Sequence, residues 1–170
     1  QENKFVDNKL DNSFQQLFEI IRLIRNLRAE LGLKPSEKVP VYLISDNDEL
    51  IDFLKILVDD IQTLTKSSEV FIFKTNAVDK KEFAKSFSGI ISDLEVYLPF
   101  QDFVNIDALK ERLTKDLKKV TIELDNLNKR LSNKNFVDKA PKDIVDECRF
   151  KLNEGSVQME RITKKLELLN

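Results

Sequence analysis

The residues with the clearest chemical potential are cations gathered around one aromatic ring. Lys129, Arg130, Lys134, Lys139 and Lys142 flank Phe136, and Asp138 is the only carboxylate between positions 128 and 142. Ammonium and guanidinium groups in such density suit phosphate oxygens, and a flat ring among cations can stack on an unpaired base. The same ring can instead anchor a turn by packing between two helices. Upstream, Lys115, Lys118 and Lys119 would track phosphates if they face outward, or set register if acids across a seam pair with them. The division of charge points the same way. Residues 1–104 carry 13 Lys and Arg against 18 Asp and Glu, a net of −5, whereas residues 105–170 carry 15 against 12, a net of +3. A basic tip on an acidic chain is the asymmetry that an anionic partner selects.

Other chemistry finds little support. The chain has no histidine, which removes the commonest general base, the commonest metal ligand and every Ser/His or Cys/His nucleophile. Its three glycines, Gly32, Gly89 and Gly155, are too far apart for a phosphate-cradling loop. Lys34-Pro35-Ser36-Glu37-Lys38 has a faint likeness to the ATP loop of class I synthetases, but its spacing differs and it reads as a helix-to-strand loop. The acidic groups Asp59-Asp60 and 46–49 lack the interleaved oxygen spacing of a calcium loop. Cys148 reads as a small buried hydrophobe in a reducing compartment. No apolar run approaches the roughly 18 residues that cross a bilayer, and the polar first ten residues do not form a signal peptide. The missing initiator methionine suggests a piece of a longer polypeptide.

The tip must be held by what surrounds it. Ile106, Leu109, Leu113, Leu117, Val120, Leu124, Leu127 and Leu131 recur at steps of three and four. So do Val145, Cys148, Leu152, Gly155, Met159, Ile162, Leu166 and Leu169. Each series draws one narrow stripe on a helix, the seam of a coiled coil. With only residues 132–141 between them, the two helices fold into an antiparallel hairpin about 40 Å long at about 1.5 Å rise per residue. Such a rod encloses no cavity, so it reads as a lever, spacer or binding arm. Asp107 is a candidate cap for its first helix. Gly155 costs helix propensity and marks either a close approach or a flexible point.

Ahead of the rod, Asn12 or Ser13 can cap a helix whose inward stripe is Phe14, Leu17, Phe18, Ile21, Ile24, Leu27 and Leu31, stopped by Gly32 and Pro35. Arg22, Arg25 and Arg28 fall on the opposite stripe, as a solvated face or as a contact with a polyanion or a neighbouring acidic domain. Strands are expected over 39–45, 69–74, 86–92 and 94–100, the last two as a hairpin turning near Asp93, with a capped helix over 49–65. The fold class is therefore α+β: a small mixed sheet covered by helices, followed by a long antiparallel two-helix coiled coil. Its expected parts are a terminal helix over 1–33, an α/β subdomain over 34–104 and the arm over 105–170.

These residues resemble a family. Ile24-Arg25-Asn26-Leu27-Arg28-Ala29-Glu30-Leu31-Gly32-Leu33 is similar to the end of the anticodon-binding region of valyl-tRNA synthetases. Leu94-Glu95-Val96-Tyr97-Leu98-Pro99-Phe100 resembles the strand leading into their C-terminal arm. The most specific likeness is Lys129-Arg130-Leu131-Ser132-Asn133-Lys134-Asn135-Phe136-Val137-Asp138-Lys139-Ala140-Pro141, similar to the arm's tip. The resemblance implies a cytoplasmic enzyme that charges tRNA with valine using ATP and magnesium and edits mischarged threonine elsewhere, its arm resting on the tRNA elbow. It implies no active site and no cofactor in this stretch, and as partners the valine tRNA and the enzyme's remaining domains, with no membrane. Lys129, Arg130, Lys134, Lys139 and Lys142 are then the expected phosphate partners, Phe136 supports the tip, and Lys115, Lys118 and Lys119 rank second. A coiled-coil module for protein interaction or oligomerisation is the alternative; it would want an apolar outer face, and none is evident beyond the seam.

Overall fold

The computed structural model describes the backbone of residues 2–170, with side chains from residue 11. The chain divides into two compact units, residues 1–104 and 105–170. The first begins with helix α1 (Glu2–Glu30). This helix runs straight through Asn12 and Ser13, so neither residue caps it. Val6 and Leu10 already lie on the three-and-four stripe of Leu17, Ile20 and Ile24, interrupted only at Ser13, so the sequence carries the helix past the expected cap. The buried stripe is Leu17, Ile20, Ile21, Ile24, Leu27 and Leu31, while Phe14 and Phe18 are 44% and 60% exposed. The expected inward stripe is thus rotated away from the two phenylalanines and toward Ile20. Gly32 ends the helix with φ 71°, a left-handed conformation that glycine adopts without a Cβ penalty.

Four strands follow: β1 (Val41–Ser45), β2 (Val70–Lys74), β3 (Ser86–Ile91) and β4 (Leu94–Pro99). They lie in the order β2-β1-β4-β3, with β1 and β2 parallel and the other two pairs antiparallel. The sheet is mixed because a helical crossover joins β1 to β2, whereas a two-residue turn at Ser92-Asp93 joins β3 to β4. The crossover is two helices, α2 (Asp48–Ile56) and α3 (Val58–Thr65), where one was expected. The break falls at Leu57, whose N–H donates to the Leu54 carbonyl. Asn47 caps α2, its Oδ1 accepting from the Leu50 N–H at 3.1 Å.

One face of the sheet forms the core. Val41, Leu43, Leu94, Val96, Leu98 and Phe87 are almost fully buried, and α1 packs against β3, β4 and α3. Gly89 on β3 permits this approach, because a Cβ there would lie 2.6 Å from Leu23 Cδ1. The other face carries Tyr42, Phe71, Phe73 and Tyr97, over which Phe83 packs at ring distances of 5.0 Å from Tyr42 and 4.8 Å from Tyr97. Lys80 and Tyr97 both bond Glu95, at 2.7 and 2.6 Å.

The arginine stripe of α1 is neither a solvated face nor a polyanion site throughout. Arg25 donates twice to the Leu64 carbonyl, at 3.1 and 2.8 Å. Arg28 is buried and donates to the carbonyls of Lys66, Lys34 and Glu37, at 3.2, 3.3 and 2.7 Å. Both arginines join α1 to the end of α3. Only Arg22 stays exposed without a partner among the described residues.

The second unit is two long helices, α4 (Ile106–Ser132) and α6 (Lys142–Leu169), joined through the short helix α5 (Lys134–Lys139). Asn105, not Asp107, caps α4, with Oδ1 accepting from the Ala108 N–H at 3.0 Å. Asp107 lies in the first turn, where its charge still favours the helix N-terminus. Leu109, Leu113, Val120 and Leu124 on α4, and Val145, Cys148, Ile162 and Leu169 on α6, are buried. The other eight residues of the two stripes are half-buried. All sixteen therefore lie along the contact between the helices, the pattern that alternating steps of three and four require.

Candidate nucleic-acid interface

Local capping builds the turn between α4 and α6. The Asn133 N–H donates to the Arg130 carbonyl at 3.2 Å, closing α4. Its side chain accepts from the Asn135 N–H at 3.0 Å, opening α5. Ala140 then donates to the Phe136 carbonyl at 2.9 Å, and the Pro141 carbonyl receives the Ile144 and Val145 N–H groups of α6. Proline at the threshold of α6 fits because its missing N–H would have had no partner there. Phe136, Val137 and Ala140 are half-buried and form the inner side of the turn.

This framework distributes the cations over four ends of three helices. Lys129 and Arg130 occupy the last turn of α4, Lys134 and Lys139 the two ends of α5, and Lys142 the first position of α6. All five are exposed, and none forms an ion pair or side-chain hydrogen bond among the described residues. Lys129 and Arg130 suit the negative end of α4's dipole. Lys142 does not suit its place: a cation at a helix N-terminus opposes the dipole by about 0.3–1 kcal/mol. Its presence is not explained by the stability of α6.

The second group behaves unevenly. Lys115 bonds Glu111 at 3.0 Å, one turn earlier on its own helix. Lys118 and Lys119 are exposed and unpaired among the described residues. On α6 three cations are matched within the helix, Arg149 with Asp146, Lys151 with Glu147 and Lys164 with Glu160.

A shallow groove between the long helices carries a cation that the sequence reading did not single out. Val120, Leu127 and Gly155 line its floor, with Arg130, Lys151 and Gln158 on its rim. The Lys151 pKa is raised, chiefly by its hydrogen bond and charge pairing with Glu147, while the nearby Arg130 charge works against this. Glu123 and Glu154 line the same groove, so the two cations there are balanced and the groove adds no net positive charge to the arm. Pairing the two seams in opposite directions would have revealed Lys151 from sequence.

α6 also bears Phe150 and Val157, 61% and 50% exposed and one heptad apart, and α4 bears Ile122, 52% exposed. These are individual apolar residues outside the seam; singly exposed hydrophobes are ordinary on a surface and do not by themselves make an outer face.

Among the described residues no cluster of metal-ligating side chains occurs, and no helix is long and apolar enough to cross a membrane. No concentration of glycines is available to cradle a nucleotide's phosphates.

Residues 105–170 match the family described as the valyl tRNA synthetase tRNA binding arm. The whole chain is similar to curated valine–tRNA ligases. It is 68% identical over 168 residues to that of Prochlorococcus marinus subsp. pastoris, covering 99% of this chain and 18% of that protein. It is 43% identical over 161 residues to the ligase of the SARG strain of P. marinus, covering 95% of this chain and 17% of the relative. With the ligase of strain NATL2A it shares 46% identity over 157 residues, 92% of this chain and 17% of the relative. The chain thus spans less than a fifth of the length of these relatives.

Proposed function

We propose a tRNA-holding role for this chain, which belongs to the valyl-tRNA synthetase family. In this reading it is the tRNA-binding portion of a valine–tRNA ligase, residues 105–170 form an antiparallel coiled-coil arm, and the tip rests on the elbow of valine tRNA. Residues 1–33 close the anticodon-binding region and 34–104 form a small α/β subdomain beside it. Activation of valine with ATP and magnesium, and editing, belong to other parts of the cytoplasmic enzyme.

One observation carries the proposal: five exposed tip cations, in a family of tRNA-binding arms, have no carboxylate partner among the described residues. Cations left unpaired keep their full charge for phosphates. Lys129, Arg130, Lys134, Lys139 and Lys142 are the principal contacts. Lys118 and Lys119 extend the track along α4, and Lys115 contributes less because Glu111 shares it. Phe136 is half-buried, which favours its role as an anchor that shapes the tip. Phosphate contacts fix the position of a folded RNA without reading its sequence, so the arm contributes affinity and orientation while discrimination rests elsewhere.

The test is charge reversal at Lys134 and Lys139, with Lys164→Glu on α6 as a control. Reversal at the tip weakens binding of valine tRNA and lowers its salt dependence by about 1.4–1.8 in log–log slope, at about 0.7–0.9 per lost contact. Equal loss in the control, or unchanged binding at low salt, overturns the assignment.

A further inference from the structure

α6 runs unbroken through Gly155, although glycine is a poor residue for a helix interior. The contact across the seam gives the reason. A Cβ on Gly155 would lie 2.7 Å from Leu124 Cδ2 and 3.4 Å from its Cγ. Leu124 is buried, so its side chain seats against bare backbone. The neighbouring seam residues on α6 are Leu152 and Met159. Sliding α6 by one seam step, about 5 Å at about 1.5 Å per residue, would bring one of those long side chains to the place where Leu124 requires none. The other seam positions hold Leu, Ile, Val, Met and Cys, which exchange partners at modest cost because their shapes are similar.

The connection between the helices does not supply this restraint. It contains α5, six residues with their own hydrogen bonds, and a slip of about one turn can be absorbed by winding or unwinding it. That slip would rebuild the turn on which Lys134, Lys139 and Lys142 stand.

We propose that Leu124 and Gly155 form a register pin, which holds α4 and α6 at one axial offset and so fixes the position of the tip cations. The pin is a positioning device in the same sense as a single distinctive residue in a coiled-coil seam. Its consequence for tRNA rests on the proposed function, whereas the pin itself is a property of the free chain.

The experiment places spin labels at Lys115→Cys and Asp146→Cys in a Cys148→Ala background and measures their separation by pulsed dipolar spectroscopy without RNA. Lys115 lies nine positions before Leu124, and Asp146 nine before Gly155 on the oppositely running helix. The labels are therefore offset along the axis by about 27 Å at about 1.5 Å per residue. One narrow distance is expected with Gly155 in place. Gly155→Leu shifts it by roughly 4–6 Å or splits it, and exchanging the sizes with Leu124→Ala plus Gly155→Leu restores it. An unchanged single distance in Gly155→Leu, with helix content kept, overturns the pin. If that variant loses helix content, the size-exchanged pair decides: recovery supports the pin and continued loss refutes it. Valine tRNA binding by the same variants is then read separately. A shifted distance with unchanged affinity would refute the tRNA reading and leave the pin standing.

Discussion

Replacing Arg28 with methionine is the sharpest test of how the first unit is held together. The guanidinium gathers three carbonyls, from Glu37 at 2.7 Å, Lys66 at 3.2 Å and Lys34 at 3.3 Å. It thereby ties α1 to the following loop and to the end of α3. A charged hydrogen bond contributes about 1.5–3 kcal/mol and a long neutral-strength one about 0.5 kcal/mol. The three together are worth roughly 2.5–4 kcal/mol. Burial works against the charge, and lowers the Arg28 pKa more than Glu37 raises it. Methionine keeps the apolar stem and escapes that desolvation, which returns roughly 1–2 kcal/mol and leaves a net loss of about 2 kcal/mol. Both tyrosines of the chain, Tyr42 and Tyr97, lie on the sheet and there is no tryptophan. Tyrosine fluorescence in a urea titration therefore reports this unit alone. At an m-value of about 1–2 kcal/mol per molar, the midpoint falls by roughly 1–2 M. Arg22→Met, at an exposed position without a partner among the described residues, should leave it in place. A shift below about 0.5 M for Arg28→Met, or an equal shift for Arg22→Met, refutes the reasoning.

Three further outcomes follow from the same packing. Gly89→Val drives a side chain into Leu23 and costs about 1–3 kcal/mol in the same titration, part of which Leu23→Ala returns by making room; purely additive effects would contradict the contact. Glu95 is held below its ordinary carboxylate range by its bonds to Lys80 and then Tyr97. Its stabilisation is present above the unfolded value and lost as pH falls through the lower folded value. The unit should therefore weaken from about pH 5 downward, and Glu95→Gln should flatten that part of the profile. Asn105→Ala removes the cap of α4 and lowers the arm's thermal stability by about 1 kcal/mol, whereas Asp107→Ala costs less; circular dichroism compares the two.

The arm was the most legible part of the chain because its two stripes repeat one rule over many turns. Each of the sixteen stripe residues is buried or half-buried in the structure. The strands were legible from alternation and their turn chemistry, and their boundaries shifted by a residue or two. The break at Leu57 was not legible: Leu50, Leu54, Leu57 and Ile61 keep helical spacing, and neither glycine nor proline marks the interruption. Phe14 and Phe18 misled for another reason. They and Ile20 offer two overlapping stripes on α1, and only the sheet it packs against selects between them. Arg28 looked like a surface charge because the carbonyls it meets belong to the loop just after α1 and to the end of α3, neither of which helical periodicity reports. At the tip, sequence identified the cations, but their freedom from carboxylates depends on side-chain geometry. The closeness of Lys151 to Arg130 required the helix pairing.

The central claim is that the tip grips a tRNA by its elbow. The most direct measurement is binding of the chain to a valine tRNA transcript over a salt series, beside the same transcript with its D-loop/T-loop contact disrupted and a plain RNA duplex. Five phosphate contacts predict that affinity for the intact tRNA falls roughly 100- to 500-fold between about 50 and 200 mM salt. The account predicts that the disrupted tRNA and the duplex bind more weakly and with smaller slopes. Equal affinity and slope for all three RNAs would contradict it.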